Sequence, residues 1–286
     1  MKIVAVVVTY NRIELLKKNI ACLLGQSRSL DSIVVLDNNS SDGTNLFCQE
    51  LVQRNPCIIY RRLETNTGGA GGFSEAIKCA IELGADYIWG MDDDAMPHRE
   101  ALNELVKSIN RYPSNRYCLC SNTYFMDSNG ICKQIQYSKE EQFVDHLTFV
   151  GFFISKEIVE CIGYPRKELF IYYDDLDYSL SIREAGFKIV GVGKSIIEHP
   201  YIMPENKHKI FFFKVNVPTM PNWKMYYWMR NNLLIRRKKG RKFTRAAILE
   251  LYVVVKLLIF KPGQVKIALK GYFDGMTNKS GKADVY

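Results

Sequence analysis

Short runs of apolar residues rich in Val and Ile alternate with polar loops and amphipathic stretches along the first hundred residues. Residues 1–9 read Met-Lys-Ile-Val-Ala-Val-Val-Val-Thr, with no polar alternation after Lys2. Such a run predicts a strand covered on both faces. Ile13, Leu16, Leu23 and Leu24 then recur at helical spacing up to Gly25-Gln26. A second buried strand is expected over 32–36, a third over 57–61 and a fourth over 87–91. A helix is expected from Thr44, and another over 73–83 after a glycine-rich loop at 66–72. Strands alternating with helices predict an α/β chain built on a doubly wound, mostly parallel sheet.

The pattern changes downstream. Residues 118–153 break into short strand-like pieces with a turn signal at Asp127-Ser128-Asn129-Gly130, as in a short antiparallel extension. A helical pattern ends at Gly186, and 187–192 reads as a further strand. The expected division is a domain over 1–205 and a mainly helical region over 206–286.

Charge sharpens that division. The chain of 286 residues carries a net charge of +9, yet from Pro221 onward 15 Lys and Arg face 3 Asp and Glu, against 24 and 27 before it. The basicity belongs to the tail. Its charges are interleaved with long apolar runs rather than with polar, phosphate-tracking residues, so nucleic acid is not an expected partner. Eight cysteines lie in apolar segments without Cys-x-x-Cys spacing, and residues 1–9 read as a strand rather than a secretory leader, which predicts reduced core thiols and a cytoplasmic setting. Cys118 and Cys120 should share one face of a strand and pack there.

Ligands in doubly wound sheets bind outside the carboxyl ends of the strands. The polar clusters of this chain fall at those ends. Asp92-Asp93-Asp94 closes the fourth strand, and three adjacent carboxylates repel one another unless positive charge lies between them. A divalent cation bridging to a diphosphate answers that need; a solvated acidic turn is the alternative. Thr9-Tyr10-Asn11-Arg12 and Asp37-Asn38-Asn39 follow the first two strands and serve either as nucleotide contacts or as caps and turns. The run Asn66-Thr67-Gly68-Gly69-Ala70-Gly71-Gly72 precedes a helix, where exposed amides suit phosphate. It follows the third strand rather than the first, which disfavours a dinucleotide-binding oxidoreductase. Asp174-Asp175 sits among aromatic residues, where burial would raise a carboxyl toward a useful base; acids at a helix start are the alternative. His199, before Pro200, stands where the sheet edge would return it toward the Asp triplet.

In this order, Val-Val-Thr-Tyr-Asn-Arg (7–12), Leu-Asp-Asn-Asn-Ser-Ser-Asp-Gly-Thr (36–44), Asn-Thr-Gly-Gly-Ala-Gly-Gly-Phe (66–73), Met-Asp-Asp-Asp-Ala (91–95), Tyr-Asp-Asp-Leu-Asp-Tyr (173–178) and Glu-His-Pro (198–200) resemble the family 2 glycosyltransferases of GT-A fold, in their galactofuranosyl- and rhamnosyltransferase-like branch. The resemblance implies an inverting transfer from a nucleotide sugar, UDP-galactofuranose first and dTDP-rhamnose next, to a glycan or polyprenyl-linked acceptor in bacterial surface polysaccharide synthesis. It implies Asp92, Asp94 and His199 as ligands of Mn²⁺ or Mg²⁺ and Asp175 as catalytic base. Thr9, Tyr10, Arg12, Asp37, Asn38, Asn66, Gly68, Gly69 and Asp93 become the expected donor contacts. The branch often has Trp-Asp-Asp at the base, where this chain has Tyr173. A non-catalytic membrane- or polyanion-binding protein on a degenerate sugar-nucleotide fold is the competing reading. A nucleotidyltransferase is a third, disfavoured because neither loop supplies its glycine and cation signature.

The tail carries one more expectation. Arg236-Arg237-Lys238-Lys239-Gly240-Arg241-Lys242 precedes an apolar stretch over 246–260 that Glu250 and Lys256 interrupt. A comfortable span needs about 20 predominantly apolar residues. The expected placement is therefore peripheral, on an anionic membrane surface at the inner face of the cell membrane, with a buried helix or a homo-oligomer contact as alternatives.

Overall fold

In the computed structural model, β1 (Ile3–Thr9) is buried at every position. It pairs in parallel with β2 (Ser32–Asp37) on one side and β4 (Tyr87–Asp92) on the other; β3 (Ile58–Arg62) lies outside β2. The structure describes residues 1–113, 116–126, 132–135, 137–200, 207–210, 213–238 and 243–285. The expected turn at 127–130, the boundary at 205/206 and the basic residues 239–242 lie outside them.

Alternation divides β1 between two cores, as a doubly covered strand requires. Val4, Val6 and Val8 enter one with Phe73, Ala76 and Ile77 of α3 (Gly68–Glu82). Ile3, Ala5 and Val7 enter the other with Leu16 and Ile20 of α1 (Ile13–Leu24) and Leu102 and Leu105 of α4 (Ala101–Ile109). Cys118 and Cys120 bury in the first of these cores. The second β-α unit closes with α2 (Thr44–Arg54).

Beyond β4 the sheet continues through β9 (Phe152–Ser155), antiparallel to both β4 and β6 (Tyr117–Met126), and then through β10 (Lys188–His199), parallel to β6. The two reversals restore the direction, so β1 to β4, β6 and β10 all run the same way and their carboxyl ends share one edge. A two-residue strand, β5 (Met96–Pro97), lies antiparallel against the last turn of β10. The extension also includes β7 (Cys132–Ile135) on β6 and β8 (Glu141–Val144) on β10, with α5 (Lys156–Ile162) directly after β9. The expected architecture is present: a doubly wound, mostly parallel sheet with an antiparallel extension and helical C-terminal elements.

Two expectations change. The glycine run is not a loop, because α3 starts at Gly68 and takes it up as the first helical turns. The reason is packing: a Cβ on Gly72 would lie 2.5 Å from Val8 Cγ1 and 2.8 Å from Asn38 Nδ2, so only glycine lets this helix rest against β1 and the end of β2. The last strand is also longer than 187–192 and runs on to His199.

The chain forms two compact units, residues 1–166 with 175–202, and residues 167–174 with 203–286. The second contains a hairpin, β11 (Lys207–Ile210) with β12 (Phe213–Asn216), and three helices, α7 (Asn222–Lys238), α8 (Phe243–Phe260) and α9 (Val265–Met276). Gly271 and Gly275 bring α9 against α7: a Cβ at either would lie 2.5 Å from Tyr226 O or 2.8 Å from Arg230 O. Arg230 and Asn231, both fully buried, hold residues 168–172 of the same unit. The Arg230 guanidinium donates to the carbonyls of Glu168 and Leu169 (both 3.2 Å) and Gly281 (2.5 Å), while Asn231 Nδ2 reaches those of Leu169, Ile171 and Tyr172 at 2.8 to 3.0 Å. These bonds constrain a segment in which Phe170, Tyr172 and Tyr173 all adopt left-handed φ of 63° to 67°. For bulky residues that conformation costs on the order of 1–3 kcal/mol each and persists only where surroundings dictate it.

Glu250 is buried on the inner face of α8, bonded to the Asn232 amide, and its Oε2 has no hydrogen-bond partner among the described residues. Burial pushes its carboxyl up to about 7, against the Asn232 bond and the nearby Arg236 charge. The native state thus holds this proton more tightly than the unfolded chain, so stability should fall as pH rises from about 4.5 toward 7. Glu250→Gln removes the charge and should flatten that slope, gaining on the order of 2–3 kcal/mol above neutrality in urea unfolding. An unchanged pH profile would contradict the assignment.

Candidate active site

The shared carboxyl edge gathers the charged residues. Thr9 ends β1 in register with Asp37 at the end of β2, while Val8 is paired with Asp92 at the end of β4. The loops after β1 and β2 are tied together: Asn38 N donates to Thr9 O (2.9 Å), Asn11 N to Ser40 Oγ (2.9 Å) and Ser41 N to Asn11 Oδ1 (2.7 Å). Asn11 and Asn39 take the left-handed backbone that Asn tolerates better than other non-glycine residues.

Asp93 is buried at this edge and accepts a 2.7 Å bond from Thr9 Oγ1. Burial pushes its carboxyl up to about 6, opposed by the Thr9 bond and the Arg12 charge. The half-exposed Arg12 reaches across from the start of α1, its Nη1 lying 2.6 Å from Asp94 Oδ2 and 3.4 Å from Asp93 Oδ1. Asp94 Oδ1 faces His199 Nε2 at 3.1 Å. Although burial would push Asp94 up, His199 and Arg12 outweigh it and hold this carboxyl below the usual range. Topology explains the meeting with His199: after Asp94 the chain enters β5, which lies along the end of β10 and pairs Met96 with Glu198.

The expected metal set is only partly gathered. Asp94 and His199 meet, but among the described residues no three His, Cys, Asp or Glu side chains converge closely enough to hold an ion, so Asp92 does not join that pair. Strand alternation ends at Asp92, and the turn at Asp93-Asp94 rotates the backbone so that spacing no longer sets a common direction. The buried Asp94 Oδ1 beside an imidazole nitrogen is nevertheless a donor pair that suits Mn²⁺ or Mg²⁺.

Several expected donor contacts are committed to the scaffold. Asp37 is fully buried, with Oδ1 accepting from Ser40 N and Oδ2 from the Tyr60 hydroxyl, both at 2.7 Å. Asn38 donates to Gly68 O (2.8 Å) and accepts from Thr67 N and Oγ1, and Asn66 Oδ1 accepts from Gly68 N (2.8 Å). Tyr10 and Arg12 remain open to solvent. Tyr60 and Arg62 were not among the expected residues. The strand Ile-Ile-Tyr-Arg-Arg ends at the same edge, with Arg62 in register with Asp37, and those polar residues closing an apolar run are the signal that marks them.

Asp175 lies in the first turn of α6 (Asp174–Glu184), partly buried, and its Oδ1 accepts from Leu176 N (2.7 Å). Burial raises its carboxyl above the usual range despite that bond and the opposing influence of His146. Asp177, by contrast, is buried and paired with Arg166 (3.3 Å), a structural role.

The Thr9 hydroxyl gives a direct test of the edge. Thr9→Val keeps the shape but leaves buried Asp93 without its shortest donor, which should lower stability by about 1–3 kcal/mol in urea unfolding at neutral pH. Thr9→Ser should recover most of the loss.

Comparison with known proteins places these features in a family. The sequence pattern of Glycosyl transferase family 2 matches residues 4–170. The galactofuranosyltransferase GlfT1 of Mycolicibacterium smegmatis is 40% identical over 94 residues, 32% of this chain and 30% of that protein, so the match spans under a third of that relative's length. The dTDP-rhamnosyl transferase RfbF of Shigella flexneri is 26% identical over 258 residues, 82% of this chain and 80% of its own. The mannosyltransferase PcManGT of Pyrobaculum calidifontis, solved with GDP-Man and Mn²⁺, superposes with a TM-score of 0.59 at 13% identity, covering 97% of this chain and 88% of its own. That likeness is one of fold, the GT-A fold. With the family pattern covering more than half of its length, the chain belongs to the family 2 glycosyl transferases.

Proposed function

We propose that this chain is an inverting glycosyltransferase that moves a sugar from a nucleotide diphosphate donor to a hydroxyl of a glycan or polyprenyl-linked acceptor in bacterial surface polysaccharide synthesis. The observation that carries the reading is the placement of Asp94 at the sheet edge, 2.6 Å from Arg12 Nη1 and 3.1 Å from His199 Nε2. UDP-galactofuranose is the first donor to test and dTDP-rhamnose the next, on the strength of the similarity to GlfT1 and RfbF.

The donor side divides by exposure. Tyr10, Arg12 and Gly69 are open enough to touch a nucleotide, whereas Thr9, Asp37, Asn38, Asn66, Gly68 and Asp93 fix the shape of the cradle through their internal bonds. Asp94 and His199, with Asp92 nearby in the chain, would hold a divalent cation, which when bound offsets charge on the leaving diphosphate. Asp175 would take the proton of the acceptor hydroxyl, and its raised carboxyl makes it a better proton acceptor than an exposed aspartate. A single displacement at the anomeric carbon inverts configuration.

Two measurements test this reading. Asp175→Asn removes the proton acceptor and should lower kcat by about 10²- to 10⁴-fold while donor affinity stays near normal. Near-normal turnover in Asp175→Asn, together with loss in Asp174→Asn, would move the base to the neighbouring carboxylate. Transfer should also stop in excess EDTA and return with Mn²⁺ or Mg²⁺; full activity in chelator would remove the metal from the scheme.

A further inference from the structure

Helix α8 is apolar on two opposite faces, and among the described residues only one of them is covered. Ala246, Ala247, Val254 and Leu257 point inward with Glu250 and are buried. Ile248, Leu251, Tyr252, Val255, Leu258 and Ile259 fall on the other side, at the i, i+3, i+4, i+7 spacing of a single stripe, and each is between 47% and 64% exposed. Large apolar side chains scattered singly on a surface need no partner, but a contiguous stripe does. At about 1.5 Å rise per residue the stripe runs roughly 16 Å along the helix. Among the described residues no helix is long and apolar enough to cross a membrane.

The surrounding charge selects the partner. Arg237 and Lys238 end α7, Arg245 begins α8, and Lys266 and Lys270 lie on α9, all exposed. In these three helices the only acidic residues are Glu250, which is buried, and Asp274, which is engaged by Tyr226 and Lys279. A second copy docking stripe to stripe would face its own like charge, 15 cations against 3 anions from Pro221 onward in each chain. An anionic bilayer supplies both things this face lacks, an apolar layer at shallow depth and negative headgroups around it. We propose that the outer stripe of α8 lies in the plane of an anionic membrane surface, its apolar side chains entering the headgroup boundary and the flanking Lys and Arg pairing with lipid charge. This inference does not depend on the sugar-transfer reading, since vesicle binding requires neither donor nor acceptor.

The experiment uses the full chain with vesicles of phosphatidylcholine alone or with phosphatidylglycerol added. Sedimentation with the anionic vesicles is expected, weakened by high salt, with little binding to neutral ones. Leu251→Ser/Leu258→Ser alters only exposed positions and should weaken anionic-vesicle binding at least tenfold with an unchanged melting temperature. Leu46→Ser, at an apolar residue equally exposed in the other unit, should change nothing. As a direct readout, a tryptophan placed by Val255→Trp should shift its emission to the blue on anionic vesicles only. Equal sedimentation of the parent and the double variant would overturn the proposal. So would equal binding to neutral and anionic vesicles, or a concentration-dependent dimer that the double variant abolishes.

Discussion

Placing three carboxylates in succession at the end of a buried strand is the constraint around which this sheet edge is organised. Two of them, Asp93 and Asp94, are largely removed from water, and without nearby cations or donors they would be neutralised or would destabilise the fold. The fold answers with elements far apart in sequence. Thr9 from β1 supplies a hydroxyl, Arg12 from the start of α1 a guanidinium, and His199 from the end of β10 an imidazole. Each arrives because its strand or helix meets the same edge. The parallel register of β1 with β4 and the short β5 alongside β10 are therefore the geometric conditions for this cluster. The two carboxylates end in different states: Asp93, enclosed and bonded mainly by a neutral hydroxyl, is pushed up, whereas Asp94, between the Arg12 guanidinium and the His199 imidazole, is held down.

Much of the fold was legible because β1, β2 and β4 are buried on both faces and read as unbroken apolar runs, with helices at the expected intervals between them. The glycine run was not legible as helix. Its composition favours a loop by propensity, and the close approach of α3 to Val8 and Asn38, visible only once the layers pack, reverses that preference. For the site, position at strand ends marked Thr9, Arg12, Asp93 and Asp94 correctly as one neighbourhood. Sequence spacing could not separate side chains that face a ligand from those that brace the loops, so Asp37 and Asn38 looked like open contacts and prove to be internally bonded. Nor could it find His146 beside Asp175, since the two meet only through tertiary packing.

The second unit applies the same principle with backbone groups in place of carboxylates. Residues 168–172 present carbonyls that Arg230 and Asn231 take up, in a stretch strained by left-handed Phe170 and Tyr172 and followed by left-handed Tyr173. Arg230 and Asn231 satisfy them from one helix turn, and the guanidinium is further enclosed by the rings of Tyr226 and Tyr227, 5.3 and 4.8 Å from their centroids. A buried cation tolerated through carbonyl oxygens and aromatic faces, with no carboxylate touching its guanidinium in these bonds, is held by many partial interactions acting together. The segment so fixed runs into Asp174, the first residue of α6.

That arrangement changes what the charge of the tail means. Counted along the sequence, its Lys and Arg look like one basic surface, but several are occupied within the unit. Arg230 is buried on carbonyls, Lys256 donates to Asn216 O at 3.2 Å, and Lys261 binds Thr219 Oγ1 at 2.6 Å and Pro218 O at 3.2 Å. Arg237 donates to Met276 O and Lys270 to Asp284 O in the same way, so among the exposed Lys and Arg of α7, α8 and α9 it is Lys238, Arg245 and Lys266 that are not so occupied. A polyanion that tracks charge alone would find these positions interrupted by exposed Leu, Ile and Tyr. A surface that is apolar beneath and anionic above would find both parts of the pattern in their places.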